Sequence, residues 1–271
     1  KEKFTLLGLE QLGFHDETEE QYRRLLRLPH GMVIVCGPTG SGKSTTLYAS
    51  ILQMNRQENK IISIEDPVEY HISDVNQMQV HAEAGITFAS QLRSILRLDP
   101  DVILVGEIRD QETAVIATQA ALTGHLVLTT LHANDTVSAL IRLRDLGVPA
   151  YLIASSVAGI VAQRMVRVIC NTCRVLVPLP SRAQEIYAAE LGETRERFFQ
   201  GAGCNACTDG YLGRTGVFEI MNMSDKLRQL FLEDVPRFQL LEQAKSDGMN
   251  VLHRDGMLKV KAGMTTILEV E

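Results

Sequence analysis

Residues 31–54 read Gly31-Met-Val-Ile-Val-Cys-Gly37-Pro-Thr-Gly-Ser-Gly42-Lys43-Ser44-Thr-Thr-Leu-Tyr-Ala-Ser-Ile-Leu-Gln-Met54. This stretch joins an apolar run with glycine on both sides, Met32–Cys36, to a glycine-rich loop and a helical pattern over Ser44–Met54. The loop matches the pattern G-x-x-x-x-G-K-[ST], and a predicted strand and helix flank it as that pattern requires. The sequence therefore predicts a phosphate-binding loop inside an α/β domain.

The loop residues are the first candidates for nucleotide binding. Gly40 and Gly42 allow the backbone to turn its N–H groups around phosphate oxygens. Lys43 would reach the β- and γ-phosphates, and Ser44 would ligate Mg²⁺. We predict nucleotide contacts along the whole loop, from Gly37, Pro38, Thr39, Gly40, Ser41, Gly42, Lys43, Ser44 and Thr45.

Strand and helix patterns alternate on both sides of the loop. Strands are predicted over Ile61–Ile64, Val102–Val105 and Leu126–Thr130. Helices are predicted over residues 16–28, Thr87–Leu98, Gln111–Leu122 and Val137–Leu146. Strands that alternate with short helices indicate parallel βαβ units in a three-layer α/β fold.

Polar side chains follow two of these strands. Glu107 comes after Val102–Val105, at the carboxyl end where open α/β sheets bind ligands, and it stands where most nucleoside triphosphatases have an aspartate that serves Mg²⁺. A solvated surface glutamate is the alternative. His125 and His132 flank Leu126–Thr130, and His132 can face the same cleft and contact phosphate charge; either histidine can instead be structural.

An acidic cluster follows the strand Ile61–Ile64. It contains Glu65, Asp66 and Glu69. Pro67 cannot continue a sheet ladder, so the chain turns there and can direct carboxylates into the cleft. Spacing alone fits a hydrated acidic loop without function equally well.

The composition narrows the class of protein. The 271 residues include 27 Lys and Arg against 33 Asp and Glu, a net charge of −6, and no Trp. We expect no bound nucleic acid, because single-strand binding uses basic grooves and stacking aromatics.

The longest mostly apolar stretch, residues 150–162, is too short to cross a bilayer, and no export signal is present. We expect a cytoplasmic protein, and since the chain starts at Lys1, a piece of a longer one.

Four of the five cysteines form two C-x-x-C pairs, Cys170/Cys173 and Cys204/Cys207. The two pairs are separated by more residues than in common zinc sites, but each C-x-x-C pair has the spacing of one half of a zinc knuckle. Four thiolates complete a closed tetrahedral site, so we predict structural Zn²⁺, with a redox pair as the alternative. The fifth, Cys36, is expected to be a buried apolar residue.

These patterns divide the chain into four expected parts. They are an N-terminal linker and helix (1–31), a nucleotide-binding core (32–165), a four-cysteine zinc module (166–215) and a helical region (216–271). Helices in the last part are predicted over Asp225–Leu232, Arg237–Ser246 and Val251–Val260.

Four motifs in fixed order resemble the secretion ATPase superfamily of type II secretion and type IV pilus assembly. Gly37–Thr45, Ile64–Tyr70, Leu98–Asp110 and Thr123–Asn134 resemble its Walker A motif, Asp box, atypical Walker B motif and His box. The resemblance continues through Ala162–Arg164, the paired cysteines, Gly213–Gly216 and Asp255–Gly263, and so covers nearly the whole chain.

The resemblance implies a RecA-like P-loop motor domain that hydrolyses ATP with Mg²⁺ and forms a homo-hexamer. It assigns Glu69 as general base, Glu107 to Mg²⁺ through water, and His132 to the γ-phosphate, beside Lys43. It implies that the motor powers pilin or pseudopilin polymerisation, held at the inner membrane by platform and cytoplasmic-ring proteins. The cysteine module favours secretion or pilus extension over retraction.

Three other functions remain open. A RecA-like nucleic-acid motor would grip DNA with the cysteine module, but the net charge opposes it. A small-molecule kinase would need a substrate pocket and lid that the region after the core does not suggest. Intact Lys43, Glu69 and Glu107 oppose a nucleotide-gated scaffold without catalysis.

The family's full-length members carry a further domain that supplies arginines to the nucleotide. We therefore expect this chain alone to bind MgATP, hydrolyse it slowly and oligomerise weakly.

Overall fold

The structure, a computed structural model, describes residues 7–178 and 180–271. The strands are β1 Gly31–Cys36, β2 Ile61–Glu65, β3 Val75–Gln79, β4 Val102–Val105, β5 Leu126–Leu131, β6 Val157–Ile169, β7 Arg174–Pro178, β8 Arg197–Gly201 and β9 Tyr211–Asn222. The helices are α1 Asp16–Leu26, α2 Lys43–Gln53, α3 Phe88–Ile95, α4 Gln111–Leu122, α5 Thr136–Asp145, α6 Ala150–Ser156, α7 Ser181–Leu191, α8 Asp225–Leu232, α9 Arg237–Ser246 and α10 Leu252–Lys261.

The main sheet has the strand order β3-β2-β4-β5-β1-β6-β9. Neighbouring strands from β3 to β6 are parallel, and β9 is antiparallel to β6 at the edge. The strand before the phosphate-binding loop, β1, therefore lies between β5 and β6, with Val33 opposite Leu128 on one side and Ile34 opposite Ile160 on the other. The crossovers between parallel strands place helices on both faces of the sheet.

Both faces of β1 are buried, which explains its continuous apolar sequence. Met32, Ile34 and Cys36 belong to the core that α3, α4, α5, α6, α8 and α9 cover. Val33 and Val35 belong to the opposite core, under α1 and α2. Successive side chains of a strand point to opposite faces, so an unbroken apolar run is required when both are covered. The predicted three-layer α/β fold is confirmed.

The periodic segments agree with their predicted elements to within three residues at each end. The largest shift is in α3, which ends at Ile95 because the chain tightens into a 3-10 turn over Leu96–Leu98. Cys36 is fully buried, as expected.

Several elements were not predicted, and two of them bear on the domain boundaries. β6 and β9 form a long antiparallel ribbon that runs from Gly159 opposite Asn222 to Ile169 opposite Tyr211. The expected boundaries at 165/166 and 215/216 therefore fall inside strands of the main sheet. The first six residues of the expected linker, and Leu179 in the expected zinc module, lie outside the described residues.

A third, smaller core joins the cysteine-containing segment to the C-terminal end. Tyr187 of α7 and Phe198 of β8 pack with Met257 and Val260 of α10 and with Ile267. The rings of Tyr187 and Phe198 meet edge to face, with centroids 4.9 Å apart. The short β7–β8 sheet is therefore held against the C-terminal helix. None of the helices in the described ranges has the length and apolar content that crossing a membrane requires.

Candidate nucleotide-binding site

The glycine-rich loop connects β1 to α2 and wraps around the Lys43 side chain. Gly40 and Gly42 have φ angles of +79° and +86°, in the left-handed region that favours glycine. Lys43 Nζ donates hydrogen bonds of 3.0 Å to the carbonyl oxygens of Gly37 and Pro38. Burial lowers the pKa of Lys43, an effect that the nearby Glu107 carboxylate opposes. The ammonium group is therefore held over the loop by the two carbonyl oxygens.

The loop borders a cleft of about 570 Å³ at the carboxyl ends of the parallel strands. The predicted site residues that line it are Thr39, Gly40, Gly42, Lys43, Ser44, Thr45, Glu69, Glu107 and His132. Of the predicted loop residues, all of them in the described part of the chain, Gly37, Pro38 and Ser41 are absent from this lining. Ser41 is buried at 3% exposure. Side chains from separate sequence motifs thus meet around one space.

Glu107 and His132 meet at this edge because β4 and β5 are adjacent. His132 Nε2 lies 3.5 Å from Glu107 Oε2. Arg109 Nη2 donates to the other carboxylate oxygen of Glu107, and Arg109 Nη1 lies 3.7 Å from Asp66 Oδ2. The hydrogen bond and charge of Glu107 raise the pKa of Arg109. The other histidine, His125, is remote from this group, with Nδ1 3.0 Å from the Ala120 carbonyl oxygen at the opposite end of β5.

The structure separates the two glutamates of the acidic cluster. Glu65 is 5% exposed, and its carboxylate accepts hydrogen bonds from Tyr48 Oη, Ser63 Oγ and Gln77 Nε2. Burial and the hydrogen bond to Glu65 raise the pKa of Tyr48 well above its usual value. Glu69 is exposed at the cleft rim, and its backbone N–H donates to Tyr48 Oη at 3.3 Å. Both glutamates therefore line the cleft, Glu65 as part of a buried hydrogen-bond network in its wall and Glu69 as an exposed side chain.

A smaller pocket of about 160 Å³ lies beside the loop. Its lining residues come from the N-terminal segment, the loop, β6 and β9, and they are Leu7, Gln11, Leu12, Gly40, Gly42, Thr45, Gln163, Met165 and Arg214. Arg214 also lines the main cleft. Sequence reasoning gave no role to Tyr48, Gln163 or Arg214. For Gln163 and Arg214, the signal in the sequence was the motif resemblance at Ala162–Arg164 and Gly213–Gly216. That resemblance marked the two segments as part of the family pattern but did not predict where they lie in the fold.

The four predicted cysteine ligands converge beyond the end of β6. All four Sγ atoms lie within 4.8 Å of one another. The Sγ–Sγ distances are 3.9 Å for Cys170/Cys204, 3.7 Å for Cys173/Cys207 and 3.6 Å for Cys204/Cys207. Thiolates about 2.3 Å from a tetrahedral zinc lie about 3.8 Å apart, so the donor set and spacing fit Zn²⁺.

The four-cysteine cluster also depends on a close approach of two backbones. A Cβ atom on Gly201 would lie 1.9 Å from the Gly210 carbonyl oxygen, so residue 201 must be glycine unless the backbone moves. The Gly210 carbonyl in turn accepts a hydrogen bond of 2.9 Å from the Cys170 backbone N–H. These contacts place the two cysteine pairs side by side.

The entire chain, residues 1–271, matches the family described as type II/IV secretion system protein. The chain belongs to the type II/IV secretion system protein family. Its relatives in this family include type II secretion system protein E of Pseudomonas aeruginosa, with 44% identity over 97% of this chain and 52% of the relative. Type IV pilus assembly ATPase PilB of Acinetobacter baylyi has 40% identity over 98% of this chain and 46% of the relative. The chain spans about half the length of the curated relatives it matches.

Solved structures agree with this family assignment. The pilus retraction motor PilT, crystallised with bound ADP, has a TM-score of 0.74 and 29% identity, and the match covers 98% of this chain and 66% of PilT. The ATPase DotB of Legionella pneumophila has a TM-score of 0.68 and 21% identity over 97% of this chain and 64% of DotB, which supports the fold alone. The resemblance predicted from the four motifs is confirmed.

Proposed function

We propose that this chain is the ATP-hydrolysing part of a motor for type II secretion or type IV pilus assembly. The observation that carries the proposal is the cleft at the carboxyl end of the sheet, where Lys43, Glu69, Glu107 and His132 come together. Relatives over almost the whole chain are named as a type II secretion ATPase and a pilus assembly ATPase. The names of these relatives do not favour the alternative function, a RecA-like nucleic-acid motor.

The triphosphate would bind with its β- and γ-phosphates at the loop. Lys43 would exchange its bonds to loop carbonyls for bonds to phosphate oxygens. The Ser44 hydroxyl and the Glu107 carboxylate supply the hard oxygen donors that Mg²⁺ prefers, and they would hold the ion, Glu107 through water. When bound, Mg²⁺ neutralises phosphate charge. His132, beside Glu107, would contact the γ-phosphate.

Glu69 is the stronger candidate for general base. Its carboxylate is exposed at the cleft, where an attacking water can reach it. The carboxylate of Glu65 accepts hydrogen bonds from three buried or half-buried neighbours, and abstraction of a proton would disturb all of them. We therefore assign proton abstraction to Glu69 and support of the cleft wall to Glu65.

The smaller pocket beside the loop fits the nucleoside end of ATP. Thr45 lines both the cleft and this pocket, so an α-phosphate near Thr45 leads the ribose and base into it. Leu7 and Leu12 provide apolar surface for a base, and Arg214 provides a cation between the two spaces.

The four-cysteine cluster would hold one structural Zn²⁺. It lies outside the cleft, and its four ligands leave no position for a substrate, so we assign it to the fold rather than to hydrolysis.

The wider assignment follows from the family. We propose a homo-hexamer that acts in the cytoplasm at the inner membrane, through platform and cytoplasmic-ring proteins, and that serves secretion or pilus extension. The chain's relatives are secretion and pilus assembly proteins.

Phosphate release from MgATP by the purified chain tests the proposed activity. We expect slow release that needs no phosphate acceptor, does not change when DNA is added, and is abolished by Lys43→Ala. The exposed Lys226→Ala variant, on α8, is the matched control and should retain the wild-type rate. A requirement for an acceptor would indicate a kinase, and stimulation by DNA would indicate a nucleic-acid motor. Equal rates for wild type and Lys43→Ala would refute the site.

A further inference from the structure

Gln163 lies on β6 directly beside the start of the phosphate-binding loop. The last residue of β1, Cys36, is opposite Ala162, so position 163 faces the loop that follows β1. The Gln163 side chain is almost fully buried, at 2% exposure. A Cβ atom on Gly37 would lie 2.4 Å from the Gln163 carbonyl oxygen. The loop backbone therefore rests on the strand at this residue.

The Gln163 side chain spans the two ends of the segment that binds phosphates. Its Oε1 accepts a hydrogen bond of 2.7 Å from Thr46 Oγ1, in the first turn of α2. Because Oε1 is held by Thr46, the Nε2 end of the amide points toward Gly42, where a Cβ atom would lie 2.9 Å from it. Thr46 also donates its backbone N–H to the Gly42 carbonyl oxygen at 3.0 Å. One buried amide thus hydrogen-bonds Thr46 and packs against the Gly42 position.

The same hydrogen-bond network continues away from the loop. The Thr46 carbonyl oxygen accepts a bond of 2.7 Å from Ser50 Oγ, and Ser50 Oγ lies 2.7 Å from Tyr22 Oη on α1. Loss of any buried partner in this network destabilises the fold, because its neighbour is left unsatisfied. The Gln163 end lies against the loop, whereas the Tyr22 end lies on α1, so variants at the two ends allow a structural effect to be separated from an effect on the loop.

We propose that Gln163 is a positioning residue for the phosphate-binding loop. Its amide holds Gly42 and Thr46 at a fixed separation, and Lys43 and Ser44 lie between them. A loop that is already in its bound shape loses less conformational freedom when it binds a ligand, so preorganisation raises affinity. This inference rests on the proposed function, because it assumes that the segment binds nucleotide phosphates.

Equilibrium titration with ATP and Mg²⁺, together with steady-state kinetics, tests the role of Gln163. Gln163→Leu keeps the volume and removes the amide, and Thr46→Val removes the donor from the other side. We expect each to raise Kd and KM roughly 3- to 10-fold, the effect of one net buried hydrogen bond, with little change in kcat. Thr46→Ser keeps the hydroxyl and should restore wild-type affinity. The double variant Gln163→Leu/Thr46→Val should bind no more weakly than either single variant, because both remove the same bond.

Ser50→Ala is the matched control. It breaks the same network on the side away from the loop, so it should lower stability to a similar extent and leave Kd unchanged. If Gln163→Leu is destabilised like Ser50→Ala but binds MgATP with wild-type affinity, Gln163 is a structural residue and the inference is wrong. Should Gln163→Leu not fold, the comparison of Thr46→Val with Thr46→Ser decides. Absence of nucleotide binding by the wild-type chain would instead refute the proposed function itself.

Discussion

The Nε2 atom of His132 lies 3.5 Å from the Oε2 atom of Glu107, across two adjacent parallel strands. Each residue follows the carboxyl end of its strand, and the pairing of β4 with β5 brings the two ends together. Two motifs that are separate in the sequence therefore form one wall of the cleft. It also places an imidazole beside the carboxylate that is proposed to serve Mg²⁺.

Replacement of Glu107 should therefore affect the steps that depend on Mg²⁺. Glu107→Gln removes the charge but keeps the shape, so we expect MgATP turnover to need a higher Mg²⁺ concentration and to fall at least roughly 10-fold at limiting Mg²⁺. Steady-state rates measured over a Mg²⁺ titration will show this. Glu83→Gln, at an exposed residue outside the cleft, is the control. An unchanged Mg²⁺ dependence in Glu107→Gln would remove Glu107 from the metal site.

The two glutamates of the acidic cluster should give different results when changed to glutamine. Glu69→Gln should retain ATP binding and slow hydrolysis roughly 10²-fold or more, the scale of a lost general base. Glu65→Gln should lower the thermal midpoint, since the buried carboxylate accepts hydrogen bonds from Tyr48 and Ser63. Single-turnover rates and melting curves on both variants separate the roles. If Glu65→Gln folds normally and loses turnover while Glu69→Gln retains it, the base is Glu65.

The strands that the sequence predicted are those with both faces buried. β1, β2, β4 and β5 are continuous apolar runs with clear ends, because helices cover both faces of the sheet at these strands. β3 could not be recognised: Val75–Gln79 is a half-exposed edge strand with amide side chains. β6 was missed because polar side chains interrupt its apolar pattern, namely the buried Gln163 and then Arg164 and Arg167.

The grouping of candidate residues around the cleft could be predicted where one motif supplies several groups, and not where distant segments meet. The loop, Glu69, Glu107 and His132 each follow a recognisable strand, and the carboxyl ends of parallel strands lie at one edge. Gln163 and Arg214 reach the loop only because β6 pairs with both β1 and β9. Pairing between strands that are far apart in the sequence leaves no local signal in the residues themselves.

Metal analysis of the purified chain should find about one zinc per molecule, since four thiolates form one tetrahedral site. Cys204→Ser should release the zinc and increase amide hydrogen exchange in residues 166–215. None of the four cysteines is among the described residues that line the nucleotide cleft, so MgATP affinity should change less than about 3-fold, as for independent sites. Cys36→Ser is the control, because it makes the same substitution at a cysteine that is not a proposed ligand. This variant should retain the zinc. Detection of disulfides, or of no metal in protein prepared without chelator, would contradict the assignment.

The C-terminal residues should contribute stability that depends on pH. Glu269 accepts hydrogen bonds from the Arg167 guanidinium at 2.7 Å and from the Arg167 backbone N–H at 3.0 Å, and these hold the pKa of Glu269 below its usual value. A carboxylate with a lowered folded pKa stabilises the fold above the unfolded pKa, about 4.3, and loses this effect as the pH falls through the folded pKa.

Glu269→Gln should accordingly have a lower denaturation midpoint than wild type at pH 7, and the two midpoints should converge at a pH below the lowered pKa of Glu269. Chemical denaturation at both pH values provides the comparison. Glu271→Gln, at the exposed last residue, should match wild type at both. A difference that stays constant with pH would show that the Glu269 charge is not the stabilising feature.

The pairing of Ile169 with Tyr211 places the four-cysteine segment at the tip of a ribbon whose two strands leave and re-enter the sheet side by side. A tight turn between these two residues would preserve every strand of the main sheet and the whole nucleotide cleft. It would also expose Met257 and Val260, which Tyr187 and Phe198 now cover. The segment could therefore be removed without changing the order of the strands, but its removal would uncover part of the hydrophobic core. A shortened chain would need polar residues at the uncovered positions of α10 to remain soluble.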